Sequence, residues 1–391
     1  MNLPPLDDLE DIAGGRVLAR LDLNVPVRNG EVLDDTRIIA ALPTLHWLLE
    51  RAGMVVACSH LGKAKGEPDA AFSLAPVAPV LESALGRPVY FVPDCLDPPA
   101  EAVAGSLLLL ENLRFHPGEK ANDPDFAARL TEGYSHYVND AFGTAHRAHA
   151  SVEAAPRRYP RRRKAAGFLM EREVAALGRV VHEPEQPFVA VVGGAKVSTK
   201  TAPLEALVGS VSTLLIGGGM ANTFFLAQGL EVGRSLVEEE MVETARTVLA
   251  AAAERGIDLI LPEDVVVADA IDDPQRVAVV ARDAIPSDLM VVDIGPAARG
   301  RYWEILAGAR TVFWNGPMGV FEVAEYAAGT LAVAEGLAAS AAFSVVGGGE
   351  SVMAIRQAGV IDSIDHVSTG GGASLKFIAG ETLPAIAALE S

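Results

Sequence analysis

The sequence predicts an α/β fold of two doubly wound parallel-sheet domains joined by a helical hinge, and three observations predict it. Short continuous apolar runs alternate with helix-period segments from end to end, and a strand that is apolar throughout suits a parallel sheet covered on both faces. The chain has 391 residues, 50% of them hydrophobic, which is enough for two or three domains with sizeable cores. A proline-punctuated basic run, 156–164, stands between two series of such strands.

In the first series the apolar runs are 16–21, 54–58, 89–92, 106–110 and 136–138. A helix is predicted from Thr36 to Arg51, with Ile38, Ile39, Leu42, Leu45 and Leu49 expected on one face. Next comes the basic run, with six cationic residues between Arg157 and Lys164. It has no strand pattern and no aromatic interleaving, so it reads as a solvated linker rather than a nucleic-acid tether. A helix-like segment from Phe168 to Val181 follows, and Pro184 and Pro187 open the next strand. The expected organisation is an N-terminal domain 1–167, a hinge 168–186 and a C-terminal domain 187–369. In the second series the runs are 188–192, 212–216, 258–261, 277–280, 289–292, 311–314 and 343–346, with alanine-rich helices such as 238–255 among them. There is no internal repeat.

The net charge of −19 argues against nucleic-acid and membrane-surface partners, which would be repelled over most of the surface. Residues 1–168 hold 18 Lys+Arg against 22 Asp+Glu, and residues 169–391 hold 14 against 29. The basic residues are thus concentrated in the first half. Cys58 and Cys95 are too few for a disulfide framework or a four-thiolate metal site. The start of the chain is acidic and lacks a signal-peptide pattern, and no run reaches the ~18 apolar residues of a membrane span. A cytoplasmic protein is expected.

Glycine marks the strand ends of the second half: Gly193-Gly194, Gly217-Gly218-Gly219, Gly295, Gly316 and Gly347-Gly348-Gly349. In a parallel sheet the C-terminal strand ends share one edge, where glycine admits close backbone approach and helix N-termini offer N–H groups to anions. A nucleotide-binding edge is predicted. It is neither a P-loop nor a dinucleotide fingerprint, because both motifs are absent. Lys196 and Lys200, two of only seven lysines, stand four apart at an expected helix start and read as a phosphate clamp on one face.

The first half places polar side chains at its strand ends instead: Arg20, Asp22 and Asn24; Ser59, His60 and Lys63; Glu111, Asn112 and Arg114; Asn139, Asp140, His146, Arg147 and His149; and Arg37 at a helix start. Arginine and histidine gathered on one edge form a cationic bowl for a carboxylate or phosphate. His146 and His149 lack a further ligand at metal-binding spacing, and no G-x-S-x-G elbow is present. An anion bowl and a nucleotide edge in separate domains suggest phosphoryl transfer with domain closure.

These residues resemble the phosphoglycerate kinase family from about Arg16 to Leu383. The carriers are Arg20-Leu21-Asp22-Leu23-Asn24-Val25-Pro26, Ser59-His60-Leu61-Gly62, Glu111-Asn112-Leu113-Arg114-Phe115 and the stretch Asn139 to His149. In the second half they are the 193–200 and 217–220 loops, Phe313 to Glu322, and Ser368 to Ser374. The resemblance implies two Rossmann-like domains, with residues 370–391 forming the hinge and a segment that returns to the N-terminal domain. It implies reversible transfer between ATP or ADP and the carboxylate of 3-phosphoglycerate, a role in glycolysis, Mg²⁺ carried with the nucleotide, and a monomer. The acceptor would sit on Asp22, Leu23, Asn24, Arg37, His60, Leu61, Gly62, Lys63, Arg114 and Arg147. The nucleotide phosphates would lie near Lys196, Lys200, Gly348, Gly349, Glu350 and Ser351, and the nucleoside near Gly194, Gly218, Gly295, Asn315 and Glu322. Catalysis would fall to Arg37, Lys196, Lys200 and the N–H groups of Gly371 and Gly372, with Glu350 as the carboxylate linked to Mg²⁺. The carboxylate acceptor is already ionised at neutral pH, so no general base is needed.

The chain departs from the family pattern at Lys63, where Arg is usual, at Ala64 for Pro, at Glu350 for Asp and at Lys376 for Glu. The basic run 157–164 is also unusual. The rival reading is a non-catalytic nucleotide- or metabolite-binding relative, against which the retention of Arg37, Lys196 and Lys200 speaks.

Overall fold

Leucine, valine and alanine runs with no polar alternation bury both faces of the strands in the computed structural model, which describes residues 2–99, 103 and 105–391. The strands of the first half are β1 (Arg16–Leu21), a small antiparallel hairpin of β2 (Val27–Arg28) and β3 (Glu31–Val32), then β4 (Met54–Cys58), β5 (Val89–Val92), β6 (Leu107–Leu110), β7 (His136–Asp140) and β8 (Lys164–Ala166). Six of them form one parallel sheet in the order β5-β6-β4-β1-β7-β8. Each of these strands therefore ends on the same edge. Helices α1 (Thr36–Arg51), α2 (Val77–Leu85), α3 (Pro117–Ala121), α4 (Pro124–Leu130) and α5 (Phe168–His182) accompany it.

The α1 face departs from the expected one chiefly at Ile39. Ile38, Ala41, Leu45, Leu48 and Leu49 are buried, whereas Ile39 is 48% exposed. A step of one residue turns about 100° around the helix, which carries Ile39 off the stripe set by Ile38 and Leu45.

The basic run is not a solvated linker. Lys164 is buried in β8, and its Nζ donates to the carbonyl of Ala388 at 2.8 Å. Arg161 donates to the carbonyl of Asn2 at 2.9 Å, Arg162 pairs with Glu10, and Arg163 pairs with Asp11 at 2.8 Å. The run fastens both ends of the chain to the first sheet. A three-residue strand that opens on lysine offers no apolar run to read in advance.

In the second half, β9 (Phe188–Val192), β10 (Thr213–Ile216), β11 (Asp258–Ile260), β15 (Thr311–Asn315), β16 (Phe343–Gly347) and β17 (His366–Val367) form a parallel sheet in the order β11-β10-β9-β15-β16-β17. Three further strands, β12 (Asp264–Ala268), β13 (Val277–Ala281) and β14 (Met290–Ile294), form a separate antiparallel sheet in the order β13-β12-β14. The runs 277–280 and 289–292 thus do not extend the parallel sheet. Val277 and Val279 are half exposed, so β13 is an edge strand open to solvent, and its apolar run resembles a buried strand in composition alone. The helices are α6 (Thr201–Leu207), α7 (Met220–Ala227), α8 (Val242–Glu254), α9 (Pro296–Ala307), α10 (Ala328–Ala339), α11 (Gly349–Gln357), α12 (Gly372–Ile378) and α13 (Pro384–Glu390).

The chain divides into two units, Met1–Ala175 with Thr382–Ser391, and Ala176–Glu381, so the division falls inside α5. Within the first unit α13 lies against β8 and the turn Pro156–Arg158. Within the second, α12 lies against α6. Each unit has its own core, one centred on Leu21, Leu45, Val55, Leu81 and Leu109, the other on Val191, Leu215, Tyr302, Trp314 and Leu337. Among the described residues no helix is long and apolar enough to cross a membrane.

Candidate active site

In the first unit the C-terminal ends of β1, β4, β6 and β7 deliver Asp22, His60, Arg114 and the 141–149 loop to one sheet edge, and the first turn of α1 adds Arg37. Asp22 is buried and ion-paired with the Arg37 guanidinium, about a third of whose side chain is exposed. Asn24 braces the neighbouring loop, its Oδ1 accepting the Gly62 N–H at 2.8 Å. The Arg114 Nη1 donates to the Gly62 carbonyl at 2.6 Å. Asn112 fixes the same loops, donating to the carbonyls of Leu61 and Phe72 at 2.8 Å while its Oδ1 accepts the Arg114 N–H at 3.0 Å. Leu23 and Leu61 are buried, whereas Lys63 and Arg147 are exposed.

The field at this edge is strongly positive. His60 is held well below the usual histidine range, first by burial and then by Arg20, Arg114, Arg37 and His149. Arg114 is lowered to about 10 by burial and by Arg20 and Arg147, while Glu119 and Asp22 pull it back up. Burial and the cations Arg114, Arg20, Arg147 and Lys120 push His149 down to about 3. The bowl is therefore a concentration of positive charge with neutral imidazoles, suited to a small polyanion.

In the second unit three backbone loops interlock. The Gly194 N–H donates to the Pro317 carbonyl at 2.8 Å, Gly218 N–H to the Met318 carbonyl at 2.9 Å, and Met220 N–H to the Gly194 carbonyl at 3.0 Å. At Gly218, φ is +69° and a Cβ would lie 2.7 Å from backbone atoms of Gly194 and Pro317, so only glycine fits. Beside these loops is a cleft of about 210 Å³ lined by Gly194, Gly218, Glu322 and Glu350 and by apolar walls from Leu236, Ile271, Met290, Val291 and Pro317.

Several residues stand differently from the sequence reading. Lys196 and Lys200 do not share a helical face: 196–200 precede α6, Lys200 is its N-cap residue and is buried, and Lys196 is exposed. The Lys200 Nζ donates to the Asn315 carbonyl at 2.9 Å and to its Oδ1 at 2.6 Å. Burial lowers the ammonium to about 8, with Glu350 pulling the other way. Gly295, which follows β14 of the antiparallel sheet, is not among the residues that line the cleft. A Cβ there would strike the Asp264 carboxylate, which caps α9 through the N–H groups of Ala297 and Ala298 at 3.0 and 2.8 Å. The β14 strand contributes Val291 to the cleft instead. Ser351 is buried, its Oγ accepting the Gly316 N–H at 2.7 Å. Gly348, with φ +94°, precedes α11, and Gly349 and Glu350 open that helix at the cleft. Gly371 and Gly372 begin α12.

Asp293 escaped the sequence reading. It lines the cleft, accepts the Gly329 N–H at 2.7 Å, and is pushed up to about 7 by burial. In the first unit Glu119 and Ser151 also escaped it; both lie wholly buried beneath the bowl. A buried carboxylate on a short helix gives no sequence signal of its own.

The family model described as phosphoglycerate kinase matches residues 6–381. A phosphoglycerate kinase of Moorella thermoacetica is 51% identical over 389 residues, covering 98% of each chain. One from Thermomicrobium roseum is 51% identical over 387 residues, again covering 98% of each. Among solved structures, phosphoglycerate kinase from Coxiella burnetii has a TM-score of 0.90 at 41% identity, with 100% of this chain and 99% of that one covered. The enzyme from Pyrococcus horikoshii has a TM-score of 0.85 at 33% identity, covering 99% and 98%. The chain belongs to the phosphoglycerate kinase family.

Proposed function

We propose that the first unit binds 3-phosphoglycerate and the second binds the magnesium nucleotide, and that the protein transfers the γ-phosphoryl group reversibly between ATP and the 3-phosphoglycerate carboxylate. Membership of the family makes the chain a kinase whose acceptor is a carboxyl group. The observation that carries the reading is the gathering of Arg37, His60 and Arg114 on one parallel-sheet edge around Asp22, with Arg147 close enough to depress Arg114.

In this assignment Arg114, Arg147, Lys63 and neutral His60 hold the acceptor with Asn24 and the 61–62 loop. Arg37, anchored by Asp22, meets the charge that develops during transfer. Lys200 and exposed Lys196 serve the donor phosphates, with the N–H groups at the start of α11 and at Gly371 and Gly372. The apolar walls and the glycine pair Gly194 and Gly218 suit a planar nucleoside, with Glu322 at the rim. Glu350, an exposed carboxylate at the cleft beside the start of α11, fits a magnesium ion whose other ligands would be phosphate oxygens and water. When bound, that ion would neutralise phosphate charge. No general base enters, because a carboxylate at neutral pH carries no proton to remove.

The test is a coupled assay of ATP-dependent phosphorylation of 3-phosphoglycerate with and without Mg²⁺. The expected result is metal-dependent turnover on the order of 10 s⁻¹ or more. Absence of turnover, with both ligands still bound by calorimetry, would replace the kinase reading with a binding-only protein and point first at Glu350.

A further inference from the structure

Beneath the bowl, four side chains from four segments form a continuous buried chain of hydrogen bonds. Glu119 on α3 accepts twice from Ser151, from its N–H at 2.8 Å and from its Oγ at 2.6 Å. Arg20 on β1 donates its Nε–H to the same Ser151 Oγ at 2.9 Å. The Arg20 Nη2 lies 3.2 Å from the His60 Nδ1. Glu119, Ser151 and Arg20 are fully buried, and His60 is nearly so.

The polarity of the chain follows from donor and acceptor counts. Carboxylate oxygens only accept and a guanidinium only donates. The one Ser151 hydroxyl proton therefore goes to Glu119, and its lone pair faces Arg20. Arg20 in turn donates to Nδ1, so the His60 ring must carry its proton on Nε2. Burial and the surrounding cations keep that ring neutral. The link is one of position: Glu119 and Ser151 hold the Arg20 guanidinium where it meets Nδ1, and a displaced guanidinium would leave the ring tautomer undefined.

We propose that Glu119 is a positioning residue for the acceptor: through Ser151 and Arg20 it fixes His60 as the neutral tautomer whose Nε2–H is presented to an anionic oxygen of 3-phosphoglycerate. This rests on the assignment of the bowl to that substrate. Glu119 touches no ligand itself. Through the Ser151 hydroxyl it also sets a carboxylate behind the wholly buried Arg20, and an uncompensated buried charge is strongly unfavourable. The carboxylate thus serves two ends at once, the charge of Arg20 and the proton position on His60.

The test uses Glu119→Gln and Ser151→Ala in the full chain, with steady-state kinetics and ¹⁵N NMR of the histidine ring. Glu119→Gln keeps the shape and removes the charge; Ser151→Ala cuts the link and leaves the carboxylate. The expected result is a rise of about tenfold in KM for 3-phosphoglycerate in each variant, with KM for ATP unchanged. The His60 ring should show the Nε2–H tautomer in the parent and a mixture in both variants. Should Glu119→Gln fail to fold, Ser151→Ala decides the matter. Unchanged KM for 3-phosphoglycerate with an unchanged tautomer overturns the proposal, as does an equal rise in KM for both substrates. Arg37→Ala measured alongside separates the two readings. If it too leaves 3-phosphoglycerate turnover untouched, the assignment of the bowl fails; if it alone impairs turnover, only the role of Glu119 fails.

Discussion

In the first unit the groups offered to a ligand are charged side chains, whereas in the second they are backbone amides, glycines and apolar walls around a single buried lysine. Both surfaces lie at the C-terminal edge of a six-stranded parallel sheet. The difference follows from what each is assigned to hold. A small polyanion has charge on every side and little surface, so it needs several cations fixed in direction by pairs such as Asp22–Arg37 and Arg114–Gly62. A nucleotide has a large planar part, and backbone must approach it closely, which the interlocked 194, 218 and 317 loops permit. The same edge thus supports recognition by charge in one unit and by shape in the other.

The sharpest way to break this contrast is to remove one charge from the bowl. Arg37→Ala is expected to lower kcat by at least about 100-fold, the range found when one preorganised transition-state donor is deleted. Arg37→Lys, which keeps the charge but loses the fork, should recover only part of it. An unchanged kcat in rapid-mix or coupled assays would take Arg37 out of the transfer step.

The matching change in the second unit alters shape rather than charge. Gly218→Val puts a side chain where the backbones of Gly194 and Pro317 already lie, at a φ of +69°. Such a conformation costs about 1–3 kcal/mol for a branched residue. KM for ATP should rise about tenfold or more, while calorimetric binding of 3-phosphoglycerate stays as in the parent. If both affinities fell together, the loops would be supporting the whole fold rather than the cleft.

Lys200 sharpens the comparison because it is a buried cation beside the glycine loops. Its ammonium, held near 8 by burial, is positive below that pH and neutral above it. The free-enzyme value governs kcat/KM, so kcat/KM for ATP is expected to fall above about pH 8, approaching tenfold per pH unit. Stability should move the other way. Between about 8 and the ordinary lysine value of 10.5 the unfolded chain holds more protons than the folded one, so this group's contribution rises with pH. Lys200→Arg keeps its charge through this range, and its alkaline limb should vanish. A limb that persisted in that variant would belong to another group.

The two regions also differed in how far they could be read in advance. Asp22, His60 and Arg114 are polar residues just beyond the ends of apolar strands, and Arg37 stands at a helix start, conjunctions that the sequence displays directly. The cleft wall is harder to foresee. Val291 and Met290 look like any strand residues, and their place depends on the antiparallel β12–β14 pairing, which composition does not reveal. At Gly295, a glycine that follows a strand, the close approach within the unit is to the Asp264 carboxylate that caps α9. Lys196 and Lys200 were separated by a loop where helical spacing was expected. Lys164 and its arginines were missed because their partners are the chain termini, far away in sequence.

The smallest effect is expected at Lys63, where the bowl departs from the family pattern. Its side chain is exposed on the loop that follows Gly62, so solvent screens its charge and a direct contact there is worth little. An ammonium meets a phosphate as a point, while a guanidinium meets two oxygens in a plane. Lys63→Arg should therefore lower KM for 3-phosphoglycerate about threefold, leave kcat and KM for ATP unchanged, and lose most of its advantage at high salt. A gain beyond tenfold would show that this loop is desolvated when the acceptor binds. The bowl would then be closed by its ligand in the way the glycine loops of the other unit are closed by their own backbone.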